Sequence, residues 1–146
     1  MKLIQISGIL LLTTLIGCSF INRNKLNESD LRYIEEIGLL DNNEKVLIFS
    51  SSYTKKKSGN FITNKRVAAY WIDEDESESY KNYAFFSDIL KIDPVDNTDA
   101  WTHTSYLIIT KKDSTNFKVY IDGDKKKYNL FVHTALEAWA KNKNKE

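Results

Sequence analysis

The chain has 146 residues, 42% of them hydrophobic and 28% charged, which suits one globular domain and excludes wholesale disorder. The formal net charge is +1, and removal of the first 17 residues takes Lys2 away and leaves 20 basic against 20 acidic side chains. A neutral chain gives no electrostatic reason to bind nucleic acid. The single cysteine excludes an intramolecular disulfide.

The first 18 residues have the order of a signal peptide. Lys2 gives a positive start, residues 3–16 are mostly apolar, and Gly17 and Cys18 follow. About 14 apolar residues are too few for a helix that spans a bilayer, which needs about 20. The charged start and the small residue before the cut are instead typical of a signal peptide. The ending Leu-Ile-Gly-Cys at residues 15–18 resembles the lipobox of bacterial lipoproteins.

This resemblance implies cleavage between Gly17 and Cys18 and acylation of the Cys18 thiol. Two or three acyl chains hold a protein on a membrane where a single chain is marginal. We therefore expect a cell-envelope protein that contacts the membrane through lipidated Cys18. Ser19 implies the outer membrane if the cell has one. The predicted divisions are a signal peptide (1–17), a polar tether (18–27) and one domain (28–146).

The domain is predicted to begin with a helix over residues 28–37. Asn27 can cap this helix, and Gly38 is a plausible stop. Short apolar or alternating runs then predict strands up to Asp122-Gly123, which is a strong hairpin signal. These strands are predicted at residues 46–49, 60–63, 66–73, 80–86, 88–93, 105–110 and 117–121.

After the predicted hairpin turn, Tyr128 and Leu130 are expected on its returning arm. A final helix is predicted over residues 131–141. Its predicted apolar stripe consists of Val132, Leu136, Trp139 and Ala140. The predicted fold is mainly β (α+β): a seven-stranded antiparallel bent sheet or barrel with a C-terminal capping helix and a short N-terminal helix.

Residues 59–70, with Thr-Asn-Lys-Arg at 63–66, resemble the second hairpin of bacterial pleckstrin-homology-like (PH-like) domains, which are related to GRAM domains. Residues 86–89 (Phe-Ser-Asp-Ile) and the element order up to residue 141 are similar too. The resemblance covers roughly residues 39–141 and implies a seven-stranded barrel closed by the last helix. It implies no single function, because PH-like domains bind lipids, peptides or proteins.

Basic residues cluster in and near the first strand-to-strand loop. Lys55, Lys56 and Lys57 lie in this loop, and Lys65 and Arg66 follow in the next turn. In lipid-binding PH domains this loop holds phosphate-binding lysines, so the five residues are candidates for contact with anionic lipid head groups. The alternative is a solvated loop. The run of lysines at 125–127 has the same two interpretations.

No catalytic signature is found. His103 and His133 are the two histidines, and neither has a Cys, His or carboxylate at a metal-ligand spacing. The acidic run at 73–78 lacks the ligand spacing of a calcium loop. We expect no cofactor, no metal and no catalytic residues. Trp71, Trp101 and Trp139 are expected mostly in the core, although the burial of Trp101 cannot be predicted.

The sequence thus favours a membrane-anchored bacterial lipoprotein with a non-catalytic binding or scaffold domain, and another envelope protein as its partner. The alternative is a domain that binds anionic lipid or head groups. An envelope enzyme is disfavoured because the sequence lacks a nucleophile, a base and an orienting group in a recognisable set.

Overall fold

The computed structural model describes residues 25–144. The predicted signal peptide, Gly17, Cys18 and most of the tether lie outside the described residues, so these stay predictions. Within residues 25–144, no helix has both the length and the apolar character needed to cross a membrane.

In the described part of the chain, seven strands form two antiparallel sheets, flanked by two α-helices. The elements are α1 (Glu28–Glu36), β1 (Val46–Ser50), β2 (Ser58–Thr63), β3 (Arg66–Trp71), β4 (Tyr80–Phe85), β5 (Ile89–Val95), β6 (Ser105–Lys111), β7 (Asn116–Ile121) and α2 (Lys125–Asn142). The first sheet has the order β1-β2-β3-β4 and the second β5-β6-β7. The predicted mainly β architecture with a helix at each end is confirmed.

The main core lies between the two sheets and is closed by α2. Phe117, Val119 and Ile121 point inwards from β7, as their alternation with polar residues predicts. From α2, Phe131 and Ala135 enter the same core and are almost completely buried. The C-terminal helix therefore holds the open end of the sandwich together, as an apolar helix face does when it covers a sheet edge.

A second core lies on the outer face of the first sheet, under α1. Ile34 is fully buried there against Phe61 and Tyr70. Asn27 caps the helix as predicted, because its side chain accepts from the backbone N–H of Asp30 and the Asp30 carboxylate accepts from that of Asn27. Gly38 follows with a positive φ of 81°, which glycine adopts without strain.

The hairpin predicted at Asp122-Gly123 is wrong. The chain enters α2 instead, and the side chain of Asp124 caps this helix by accepting from the backbone N–H of Lys127 at 2.9 Å. Gly123, with φ of 132°, makes the turn from β7 into the helix. Tyr128 and Leu130, predicted on a strand, are therefore helical.

The apolar stripe predicted for the last helix is also misplaced by about one residue. Leu136 and Ala140 are exposed, and Val132 and Trp139 are only partly buried. The buried residues of α2 are Tyr128, Phe131, Ala135 and Ala138. The correction has a physical reason: Ala135 and Ala138 are small and let the helix backbone approach the sheets closely, so Phe131 fills the core while Val132 and Trp139 lie along the margins of the contact.

Candidate functional site

Arg66, one of the predicted head-group contacts, is buried and paired inside the protein. Its guanidinium donates from Nε to Glu44 Oε1 at 2.9 Å and from Nη2 to Glu44 Oε2 at 2.7 Å, and Nη2 is also 2.7 Å from Asp41 Oδ2. The side chains of Arg66 and Glu44 are 3% and 0% exposed. Contact of Arg66 with a head group stays a prediction, and in this structure its guanidinium is enclosed by the carboxylates of Glu44 and Asp41.

The two carboxylates beside Arg66 stabilise its charged form. Burial alone would lower the pKa of Arg66, but the hydrogen bonds and charges of Glu44, and then of Asp41, outweigh burial and raise it. The guanidinium also lies 4.5 Å from the centre of the Phe85 ring, which suits a cation–π contact. Arg66 therefore ties the α1–β1 connection to the start of β3.

The turn at residues 63–66, which carries the resemblance to PH-like domains, is a structural unit. The Thr63 hydroxyl accepts from the backbone N–H groups of Lys65 and Arg66 at 2.9 Å each and donates to Glu44 at 2.5 Å. The Asn64 side chain accepts from the backbone N–H of Lys45 at 2.8 Å. This motif therefore fixes the fold at this corner and does not by itself form a ligand site.

The lysines of the predicted site do not converge on a common point. Lys55 Nζ donates to Asp30 at 2.8 Å and to the Lys25 carbonyl at 2.5 Å, so it fastens the loop to the start of α1. Lys57 lies 3.4 Å from Asp73, and Lys65 lies 3.8 Å from Asp41. Within residues 25–144, Lys56 is the member of the set whose ammonium forms no ion pair.

The more coherent surface consists of aromatic side chains at one corner of the sandwich, which we call the aromatic corner. Its members share partial or full exposure and come from both sheets and from the β1–β2 loop. They are Tyr53, Trp71, Tyr80, Tyr106 and Tyr120.

Successive members of the aromatic corner adjoin one another. Tyr53 packs edge-on against Trp71 with ring centres 4.9 Å apart, and Trp71 is the ladder partner of Tyr80. Burial and then the charge of Tyr120 raise the pKa of Tyr80. Tyr120 in turn packs edge-on against Tyr106 at 5.9 Å. Tyr53, Trp71 and Tyr80 at the first sheet and Tyr106 and Tyr120 on the second make up a row of two groups, and the sheets meet nearby where the backbone N–H of Tyr120 donates to the Asn60 side chain of β2 at 2.9 Å.

Two lysines lie on the rings of this row. Lys57 Nζ is 4.8 Å from the centre of the Trp71 ring, and Lys118 Nζ is 4.4 Å from that of Tyr106. Asp73 accepts from the Trp71 indole N–H at 3.1 Å and fixes the orientation of the ring. Aromatic faces beside fixed cations give a surface that offers apolar area, hydroxyl groups and positive charge together.

Sequence reasoning missed the aromatic corner because its members are distant along the chain. A partial signal existed: Tyr120 occupies the polar face of an alternating strand, so its exposure followed from the pattern.

The structure places Trp101 in the β5–β6 loop with its side chain fully exposed, and Trp71 is partly buried.

The two histidines lie apart and on the surface. His103 shares a hydrogen bond with Thr102 at 2.8 Å, and His133 is 3.6 Å from Glu137 one helical turn away. Asp96, near His103 in the chain, is bound by Lys125, whose hydrogen bond lowers the pKa of Asp96 to about 2. Among residues 25–144, no group of three or more His, Cys, Asp or Glu side chains is arranged to hold a metal ion.

Comparison with known proteins identifies the fold. No protein-family model matches the chain, and no curated protein matches it. Among solved structures, the chain is similar to a DUF1696 family protein with a pleckstrin-homology domain from Shewanella loihica PV-4, with 12% sequence identity and a TM-score of 0.50. The match covers 82% of this chain and 96% of the other. At this identity the likeness shows the fold alone, and it confirms the predicted PH-like fold.

Proposed function

We propose that the chain is a membrane-tethered, non-catalytic binding module, in which lipidated Cys18 holds a PH-like domain on the cell envelope. PH-like folds generally serve as binding modules without enzymatic activity, which supports the non-catalytic part of this proposal. The lipobox-like sequence at residues 15–18 supports the anchor. The observation that carries the binding role is the aromatic corner.

The aromatic corner has the composition of a protein-binding surface. Tyrosine and tryptophan are enriched where protein interfaces gain most of their energy, because rigid rings bury much area at a low entropic cost. Tyr53 is 60% exposed, and Tyr80 and Tyr120 are each 38% exposed, so this apolar area is open to a partner. The partner we propose is another protein of the envelope.

The anchor is tested by changing Cys18 to Ser in the full chain expressed in bacteria. We expect the wild-type chain to be cleaved before Cys18 and to carry acyl chains, whereas the variant remains unacylated and uncleaved at this site. Intact mass spectrometry of the detergent-extracted protein measures both changes. Identical masses for residues 18–146 in both proteins, apart from the single substitution, would contradict the anchor.

The aromatic corner is tested by placing a photo-crosslinking amino acid at Tyr53 or Tyr120 in cells that produce the chain. Tyr83 is the matched control, because it is 44% exposed but lies outside the corner. We expect a discrete crosslinked protein from Tyr53 and Tyr120 and none from Tyr83. The same adducts from all three positions would mean that the corner has no special role.

A second candidate function is binding of anionic lipid head groups by the β1–β2 loop. One observation favours it: the carbonyl of Lys25 accepts from Lys55, so the predicted tether reaches the domain beside this loop. Lys56 is exposed there and forms no ion pair within residues 25–144. A lysine near an anionic membrane surface contributes about 1 kcal/mol.

Flotation of residues 19–146 with neutral and anionic vesicles tests this candidate. If it holds, Lys56→Ala should weaken binding to anionic vesicles by about fivefold, the equivalent of about 1 kcal/mol. Lys112→Ala, which removes an exposed lysine at the β6–β7 turn, should leave binding unchanged. No binding to either vesicle would leave the lipid on Cys18 as the membrane contact.

A further inference from the structure

Among residues 25–144 the two sheets have four edge strands, β1, β4, β5 and β7, and three of these edges carry features that disfavour pairing with another chain. β5 contains Pro94, which has no N–H to offer. The edge of β7 is engaged where the backbone N–H of Tyr120 donates to the Asn60 side chain at 2.9 Å. β4 carries Lys81 on its edge and faces a strongly charged groove that also contains Lys111, Lys112, Asp88 and Asp113, and edge charges of this kind oppose strand addition.

The remaining edge, that of β1, lies open at the floor of a groove. Within residues 25–144, the backbone hydrogen bonds of β1 go to β2 alone. Two adjoining cavities of about 470 and 240 Å³ flank the strand and share Leu47, Ile48 and Phe49 as their floor. We call the two together the β1 groove. The register of β1 on β2 shifts between Val46 and Ile48, so residues 48–50 form the regular part of the open edge.

Apolar side chains line part of both walls of the β1 groove. On the α1 side the wall includes Leu26 and Leu31, and on the α2 side it includes Leu130 and Phe131. Consecutive residues of a strand point to opposite faces of the sheet. A strand added to β1 would therefore direct one side chain towards α1 and the next towards α2, so two adjacent apolar residues fit this groove better than an alternating pattern.

One end of the groove is closed, and its rim is charged. Ser50 accepts from the backbone N–H of Asp122, which closes one end. The rim carries three exposed lysines, Lys25, Lys45 and Lys127, and two carboxylates, Glu35 and Asp122, whereas the Glu44 carboxylate beneath it is neutralised by Arg66. Three lysines against two carboxylates leave one unbalanced positive charge on the rim, which favours acidic residues beside the apolar pair.

We propose that the β1 groove binds an extended segment of a partner protein, which adds to β1 as a further strand through two adjacent apolar residues with acidic neighbours. Backbone pairing supplies affinity in this mode, and the two walls supply specificity. The β1 groove is separate from the aromatic corner, and the proposal does not depend on the lipid anchor. The anchor and the groove can therefore fail independently.

The test begins with a random heptapeptide library displayed on phage and selected against the full chain in detergent. We expect enriched peptides with an adjacent apolar pair flanked by Asp or Glu. Binding of one synthetic enriched peptide should fall at least tenfold with Leu47→Asp in the floor or Leu130→Asp in the wall, which place a carboxylate at positions that are 44% and 57% exposed. Leu90→Asp is the matched control, since Leu90 is 59% exposed on β5, outside the β1 groove, and should change nothing.

The mode of binding is tested by methylating the amide nitrogens of the enriched peptide one at a time. Strand addition predicts loss of binding at every second position, because alternate N–H groups face β1. Peptides that bind equally to the Leu47 and Leu130 variants would overturn the proposal. Tolerance of methylation at all positions, or the absence of any enriched peptide, would also overturn it. A last control changes Phe20 and Ile21 of the predicted tether to Asp and leaves the groove intact. Loss of the enriched peptides with this variant would mean that they bind the tether, and it would also overturn the proposal.

Discussion

Replacement of Arg66 by alanine is expected to lower the free energy of unfolding by about 3–5 kcal/mol, because it leaves the Glu44 carboxylate buried without its partner. Glu44 is fully buried and receives two hydrogen bonds from Arg66, so no solvent can replace the lost guanidinium. Urea denaturation followed by circular dichroism measures this loss as a lower midpoint with an unchanged slope.

Lys65→Ala is the matched control, since it removes the neighbouring cation at an exposed position. Its ion pair with Asp41 is long, at 3.8 Å, and a surface pair of this kind contributes little. The double variant Glu44→Leu with Arg66→Leu should recover much of the stability, because removing both charges avoids the unpaired carboxylate. Equal losses for Arg66→Ala and Lys65→Ala would show that the buried pair is not a main determinant of this corner.

Replacement of Phe131 by alanine is expected to destabilise the domain by about 3–5 kcal/mol, since it removes a buried aromatic ring and leaves a cavity. Phe131 is 1% exposed where α2 closes the sandwich. The adjacent change, Leu130→Ala, should alter stability by no more than about 0.5 kcal/mol, because Leu130 is 57% exposed. Thermal and urea unfolding of the two variants give the comparison.

This pair of variants also decides where the last helix begins. The helical register from Lys125 places Phe131 towards the sheets and Leu130 towards solvent. A β-arm through residues 128–130, as the Asp-Gly pair suggested, would bury Leu130 and Tyr128 on the same face. A larger loss for Leu130→Ala than for Phe131→Ala would therefore reinstate the hairpin.

The strands could be predicted well where the sequence itself alternates. Phe117, Val119 and Ile121 show their buried face directly, because side-chain direction in a strand has a period of two residues. The pair Asp122-Gly123 led to the wrong prediction of a hairpin, because the same pair occurs both in hairpin turns and just before a capped helix. Asp124, whose carboxylate caps α2, was the signal that separates the two possibilities.

The sites could not be predicted as well, because pairing partners lie far apart in the chain. In the sequence, Arg66 follows Lys65 in a predicted turn and therefore looks exposed. Only the fold brings Arg66 to Glu44, which lies 22 residues earlier. The aromatic corner and the β1 groove are assembled in the same way from separate elements. The run Lys55–Lys57 likewise separates in space, with Lys55 bound to α1 and Lys57 lying on Trp71.

The contact between Lys25 and the β1–β2 loop has a consequence for how a partner is found. On the proposed anchor, six residues lie between Cys18 and Lys25, so seven Cα-to-Cα steps span at most about 25 Å. The domain would then search in two dimensions, within one short tether length of the bilayer. Confinement of this kind raises the effective concentration of a partner on the same membrane to about the millimolar range. A site of modest intrinsic affinity would be largely occupied there, yet the same site would release its partner once either protein left the surface.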